Sequence, residues 1–291
     1  MISKLYADDV KVYMSAETVA TCLSFQGNLD KLMEWSETWQ LPISIPKCNL
    51  LSLQSSHRRL APMASYNYHL GSSELFKSTA VIDLGITVDS GLTFSHHINN
   101  ITSKAYNRMN LLFRCFHSNC RDNLIRAYTV YIRPTLEYCS SVWSPYRLKD
   151  IKDIEKVQRK FTKRLNGLQY LPYAERLHVT KLESLQDRRI KSDLILTYKI
   201  LFNHVNISSE QFFKLNDTVH NTRGHTYKLT VQPARIDVRK HFFSCRVVPI
   251  WNRLPDFIDF SSLTNFKNSV RSLHFTDSSH NSVATLFSSN C

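Results

Sequence analysis

Six glycines and nine prolines are all that the 291 residues contain, too few for a collagen-like, linker-rich or low-complexity chain. The seven cysteines, at 22, 48, 115, 120, 139, 245 and 291, are odd in number and form no Cys-x-x-Cys pair; both facts argue against a disulfide framework. No run of about 18 apolar residues could cross a bilayer, and no N-terminal apolar segment with a cleavage site marks a secretory leader. The expected localisation is therefore intracellular, cytoplasmic or nuclear, and not secreted. A sequon such as Asn206 to Ser208 is then a chance match, since glycosylation needs the secretory route. No internal repeat, phosphate-cradling glycine loop, Gly-x-Ser-x-Gly elbow or His-Glu-x-x-His helix is present.

What is abundant is apolar residue, 43% of the chain, and length for roughly two domains at ~150 residues each. Positive charge is unevenly spread. Residues 1–103 carry 7 basic and 9 acidic groups, residues 104–199 carry 20 and 9, and residues 200–291 carry 10 and 6. The middle segment thus holds +11 of the net +13. Such a block suits a polyanion, because Lys and Arg that displace counterions from phosphates gain affinity whatever the base sequence. A solvated helical face without a ligand accounts for the same charge.

Residues 2–14 alternate apolar and polar positions on either side of Ala7-Asp8-Asp9, which predicts two strands about a tight turn. Val19, Leu23, Leu29, Leu32, Met33, Trp35 and Trp39 then predict a core-facing helix over 16–40. Pro42 and Pro46 stop it, and Val81 to Val88 reads as strand. Ile98, Ile101, Ala105, Met109, Leu112 and Phe116 predict a helix with Ser95 as N-cap. A second helix is expected from Asp122 to Ile132, ahead of Pro134. In the basic segment Ile151, Ile154, Val157, Phe161 and Leu165 mark one helical face, with Gly167 as its stop. The opposite face carries Lys152, Lys156, Arg159, Lys160, Lys163 and Arg164. Thr180-Lys-Leu-Glu183 has the capping-box pattern for a helix running to Leu201. Residues 205–240 read as loop with short strands, Leu263 to Leu273 as a short helix, and 276–291 as a disordered tail.

Adjacent carboxylates at a strand turn, Asp8 and Asp9, are the feature richest in chemistry. Phosphoryl transfer to a nucleic-acid end uses divalent ions that bridge attacking and leaving oxygens, and carboxylates hold such hard ions. Turn chemistry alone also explains an Asp-Asp pair. Cys115, His117 and Cys120, with His96 and His97 upstream, could be proposed as a zinc set, but the spacing fits no common finger and buried helix-face cysteines are the commoner case. Tyr128, Tyr131, Trp143 and Tyr146 lie among basic residues; they suit base stacking or, more commonly, a core.

Leu5-Tyr6-Ala7-Asp8-Asp9-Val10 resembles the Tyr-x-Asp-Asp palm turn of reverse transcriptases, and Trp39 to Leu51, with Lys47, resembles the next palm motif of non-LTR retrotransposon enzymes. Asp83 to Asp89, Leu92-Thr-Phe94 and His97-Ile98 are similar to the primer-grip region and thumb entry. Arg133 to Trp143, Ile154 to Phe161, Trp251-Asn-Arg-Leu-Pro255 and Phe266-Lys267 resemble later segments of jockey-like elements. Ordered recurrence of this kind is more specific than any single motif.

The resemblance implies an α+β fold: a partial reverse-transcriptase palm over 1–94 (β-hairpin, helix, short strands), then a mostly α-helical thumb over 95–204 and a C-terminal region over 205–275. It implies that Asp8 and Asp9 are metal-binding catalytic positions for Mg2+, that Tyr6 and Ala7 lie near the primer end, and that Lys47 approaches nucleotide phosphates. Ser44 stands where the family usually has Asn, and Lys47 is equally a solvated loop lysine. Partners would be an RNA template and DNA primer, or an RNA/DNA hybrid, with no membrane and no small-molecule cofactor apart from nucleotides. Family members place a further metal-binding aspartate and the fingers upstream of this turn. The expectation is therefore a fragment of an RNA-directed DNA polymerase, inactive alone; the alternatives are a non-catalytic nucleic-acid-binding remnant or a relic without function.

Overall fold

The computed structural model describes residues 1–53, 66–116, 120–216 and 224–275. The chain divides into two compact units, Met1–Leu92 and Thr93–Cys291, the first mixed and the second helical, so the architecture is α+β. The expected tail at 276–291 lies outside the described residues.

In the first unit, β1 (Ile2–Tyr6) pairs antiparallel with β2 (Asp9–Tyr13), Tyr6 standing opposite Asp9. Alternation along these strands predicts one covered face, yet Ile2, Leu5, Tyr6, Val10 and Tyr13 are all exposed. Only Val12 and Met14 reach the unit's core. Helix α1 (Val19–Thr38) starts at Thr18, which exchanges capping bonds with Thr21, a reciprocal arrangement that satisfies two otherwise orphaned groups. It buries Cys22, Phe25 and Leu29 against Tyr68, Leu70 and Leu75. Four two-stranded sheets complete the unit's described residues. Besides β1 and β2 these pair β3 (Asn49–Leu51) in parallel with β6 (Phe76–Ser78), and β4 (His69–Leu70) with β5 (Ser73–Glu74). The run from Val81 to Val88 is not one strand. It folds back as β7 (Ala80–Asp83) and β8 (Ile86–Asp89) about Leu84 and Gly85, both at positive φ (46° and 83°), the conformation a two-residue hairpin turn requires.

The second unit is built on α2 (Ser95–Cys115) and α6 (Leu148–Lys163). Ile98, Ile101, Ala105, Met109 and Leu112 of α2 and Ile154, Val157 and Phe161 of α6 are buried, as their spacing predicts. Ser95 is the first helical residue rather than the cap; Phe94, at φ 57°, takes the cap position without a side-chain bond. The helix expected from Asp122 ends earlier, as α3 (Arg121–Ala127), and continues as a π-helical turn over Tyr128–Ile132. Pro134 then lies inside α4 (Arg133–Glu137) instead of stopping a helix. It falls in the first turn of α4, where its missing N–H is tolerated; the Arg108 guanidinium donates nearby, to the Tyr131 carbonyl (3.1 Å) and to the Thr135 hydroxyl. α5 (Ser140–Trp143) follows.

Helix α6 stops at Lys163, ahead of Gly167, which sits at φ 77° in the next turn. The capping pattern at Thr180 is displaced by one turn of chain. Thr180 closes a helix that spacing did not reveal, α7 (Tyr173–Thr180), with Lys181 at φ 53° as its stop. Ser184 is the true cap of α8 (Leu185–Leu201), accepting from the Asp187 amide at 3.0 Å. After a bridge between Leu215 and Leu229 come α9 (Asp237–Lys240), α10 (Phe243–Asn252) and α11 (Leu263–Arg271). Leu194, Tyr198, Val247, Trp251, Phe266 and Val270 form the shared core of α8, α10 and α11.

Candidate nucleic-acid interface

Within the first unit the carboxylates of Asp8 and Asp9 stand in solvent at the hairpin tip. The bend rests on Ala7 at φ 51°, a backbone region that costs a non-glycine residue ~1–2 kcal/mol. Tyr6 is two-thirds exposed. Lys11 of β2 pairs with Asp83 of β7, so that acidic group is already engaged by a cation. Lys47 ends a 3-10 turn, Ile45–Lys47, and is exposed. Among the described residues no group of three His, Cys, Asp or Glu side chains could hold a metal ion. Asp8 and Asp9 are suitable oxygen donors for Mg2+, but two carboxylates alone do not make the donor set of a two-ion centre. The described residues therefore do not fit a complete two-ion site.

The alternative to a zinc set, cysteines buried on a helix face, does not hold, since Cys115 and Cys120 are exposed; His117 lies outside the described residues, and among those described no three such side chains come together. His97 is buried on α2, against the Trp143 ring at 5.2 Å. Burial, and then Lys104, lowers its pKa.

Within the second unit, all six of the basic residues singled out by spacing, Lys152, Lys156, Arg159, Lys160, Lys163 and Arg164, are exposed along α6 and its C-terminal cap. At about 100° per residue they form one stripe opposite Ile154, Val157 and Phe161. Its margins are not loose. The Arg159 guanidinium lies 4.0 Å from the centroid of the Tyr173 ring. On the other side the Lys160 ammonium stands 5.1 Å from the Tyr106 ring and the Arg164 guanidinium 4.0 Å from Phe113. Arg164 also donates to Asn110 at 3.2 Å. Lys156 pairs with Asp153 at 2.6 Å, which raises its pKa. Tyr106, Asn110 and Phe113 are spaced i, i+4, i+7 on α2. They are the residues that sequence reasoning passed over, although that spacing places them on one face.

Beneath the stripe is a buried polar network. Gln158, fully buried, accepts from the Tyr128 hydroxyl (3.0 Å) and donates to the Tyr173 hydroxyl (3.0 Å) and the Glu183 carbonyl (2.9 Å). Tyr173 in turn donates to Glu155, whose carboxylate also caps the Leu185 amide (3.1 Å). Burial first, then Glu155, pushes the Tyr173 hydroxyl far above its ordinary pKa. It stays a neutral donor. Tyr128 stacks on Phe161 at 4.3 Å and Trp143 is buried, so both are core. Tyr146 stacks on His241 at 4.3 Å, and Tyr131 is exposed.

The Trp251-to-Pro255 segment is architectural. The Asn252 amide pairs with both backbone groups of Leu229 at 2.8 Å, and the Trp251 indole donates to the Tyr227 carbonyl at 2.6 Å. Arg253 is the segment's solvent-facing cation.

Comparison with known proteins now bears on these features. The chain is 25% identical over 170 residues to an RNA-directed DNA polymerase from the mobile element jockey of Drosophila funebris, a match covering 56% of this chain and 18% of that protein. It is 23% identical over 177 residues to a probable RNA-directed DNA polymerase from the transposon X-element of Drosophila melanogaster, covering 60% and 19%. An uncharacterized Caenorhabditis elegans protein is 30% identical over 124 residues, 42% of this chain and 63% of that protein. The matches thus span less than a fifth of the length of either polymerase. No family model and no solved structure matches the chain. Together the similarities support a protein related to the reverse transcriptases of non-LTR retrotransposons.

Proposed function

We propose that this chain is a fragment of a non-LTR retrotransposon reverse transcriptase, running from the end of the palm through the thumb and C-terminal region, whose surviving activity is nucleic-acid binding. The observation that carries this is the exposed stripe of six cations on α6, which sits in the segment holding most of the chain's excess charge. Such a stripe contacts phosphates, and an RNA/DNA hybrid is the natural ligand of a polymerase of this kind. Asp8 and Asp9 are the acidic positions of the parent metal site, Tyr6 and Ala7 its primer-side neighbours, and Lys47 a nucleotide-phosphate contact. In this reading the chain by itself binds nucleic acid without extending a primer.

Titrating a labelled RNA/DNA hybrid at several salt concentrations tests this. Affinity should fall steeply, by about 0.9 in log–log slope for each phosphate neutralised. An affinity that ignores salt would remove the reading.

A further inference from the structure

Three of the six cations of the α6 stripe are held over rings before any ligand arrives, and a fourth, Lys156, is paired with Asp153. By helical geometry Arg159 lies at one margin, Lys160 and Arg164 at the other, and Lys152, Lys156 and Lys163 between them. The three marginal cations are those that sit over rings: Tyr173 of α7 under Arg159, and Tyr106 and Phe113 of α2 under Lys160 and Arg164. Among the described residues no ring lies under Lys152 or Lys163. All three rings are half-buried, and two are fixed from behind, Phe113 against Phe161 at 5.8 Å and Tyr173 by its bonds to Gln158 and Glu155.

We infer that Tyr106, Phe113 and Tyr173 are positioning residues, which set Lys160, Arg164 and Arg159 as a preorganised row of phosphate contacts for a stiff duplex backbone. A long cation loses rotamer freedom when it grips a phosphate; one already held over a ring loses less. The same contacts occupy the faces of those rings, so they are not offered to bases. Proteins that hold single strands rely on such free faces. From Lys152 to Lys163 the stripe runs about 16 Å along the helix, roughly five base steps of a duplex strand. The ligand class is therefore the backbone of a duplex, read without regard to base sequence. Tyr170 is the ring near the end of α6 that stands open, 93% exposed, and is the place where stacking would show if it occurred.

This inference rests on the nucleic-acid reading above, and the experiment separates the two. The full chain and its variants are titrated against a short RNA/DNA hybrid and against the same DNA as a single strand, at several salt concentrations. Tyr106→Leu and Phe113→Leu should each weaken hybrid binding about two- to fivefold, the fold-change equivalent of an exposed cation–π contact. Tyr106→Phe, which keeps the ring, should bind as the parent does. In case the leucine variants unfold, a second comparison uses exposed positions only: Lys160→Gln should cost more affinity than Lys152→Gln or Lys163→Gln. The hybrid should be preferred over the single strand by at least about fivefold, the low end of one stacked base, and Tyr170→Ala should change neither. Equal costs at Lys152, Lys160 and Lys163, or a Tyr106→Phe variant as weak as Tyr106→Leu, would overturn the positioning role. Single-strand binding as tight as hybrid binding, lost on Tyr170→Ala, would overturn the duplex assignment. A parent chain without salt-dependent binding would sink the nucleic-acid reading itself, and this inference with it.

Discussion

Replacing Gln158 with leucine tests whether the polar network under the α6 stripe holds the second unit together. The side chain is fully buried and makes three bonds. In Gln158→Leu the Tyr128 hydroxyl loses its acceptor and the Glu183 carbonyl its donor, while Tyr173 keeps Glu155. Each stranded buried group costs about 1–3 kcal/mol, and the leucine's extra apolar contact offsets about 1 kcal/mol. The expected net loss is about 1–5 kcal/mol, a large share of a domain's total of ~5–15. Tyr128→Phe should cost about 1 kcal/mol. The double variant should cost less than the two added together, because the hydroxyl that Gln158→Leu strands is then gone; a coupling near 1 kcal/mol is expected for groups in direct contact. Urea unfolding followed by fluorescence reports on this unit through its buried Trp143 and Trp251, and circular dichroism provides a second probe. A Gln158→Leu loss below about 1 kcal/mol, or strict additivity in the double variant, would show that the network contributes little.

Three further outcomes are expected. Arg246→Met should destabilise the second unit by about 3–5 kcal/mol, as removal of one partner of a buried pair does, since Arg246 holds Asp193 at 3.0 Å and the Ser141 carbonyl at 2.7 Å; a melting point like the parent's would refute it. Burial holds His225, His97 and His241 below the ordinary histidine pKa; because the unfolded chain then takes up protons first, stability should be full above about pH 6.5 and fall as pH drops through the lower folded values. His225, whose Nε2 meets the Trp251 carbonyl at 2.8 Å while Nδ1 has no partner among the described residues, should account for part of that slope, so thermal melts of His225→Gln should be flatter between pH 7 and about 5. The chain alone should give no primer extension, whereas fusion to a related element's fingers and upstream palm should restore some synthesis that Asp8→Ala abolishes; a fusion still active after that change would show that the turn is not the metal site.

Periodicity made the long elements legible. For α2, α6 and α11 local pattern and tertiary burial agree; the hairpin at residues 2–14 and α1 form where expected, but Leu5 and Val10 of the hairpin, Val19, Leu23 and Trp35 of α1 and Trp39 at its end, expected to face a core, are exposed. The misses lie where one local rule yielded to another. Thr180 bonds back to the Arg176 carbonyl at 2.7 Å and so ends a helix, while Ser184, a cap of the same chemistry, opens the next; a four-residue pattern does not tell these apart. Pro134 failed as a stop because it falls in the first turn of α4, where a residue without an N–H is tolerated. α10 was missed because Pro249 lies inside it. At the candidate interface the six cations were legible as one face, but the rings that fix three of them come from α2 and α7, and only tertiary packing brings those residues alongside. The carboxylate pair was legible as a motif; whether other groups join it is a question of space that spacing cannot answer.

The way α8 is enclosed bears on how the protein is made. Its Lys191 ammonium reaches the Arg271 carbonyl at 2.9 Å, and its Asp187 carboxylate takes the Phe275 amide at 3.2 Å. A ribosome emits the chain vectorially, so α8 leaves the exit tunnel some eighty residues before the groups that seal it. Until α10 and then α11 have emerged, Leu194, Tyr198 and their neighbours lack the partners that complete their core, and the nascent unit is a target for holdase chaperones and proteases. A stop codon or frameshift anywhere before α11 would therefore yield a chain with an open core rather than a slightly shortened protein. Steady-state abundance of such products should collapse even when every residue of the α6 stripe is intact.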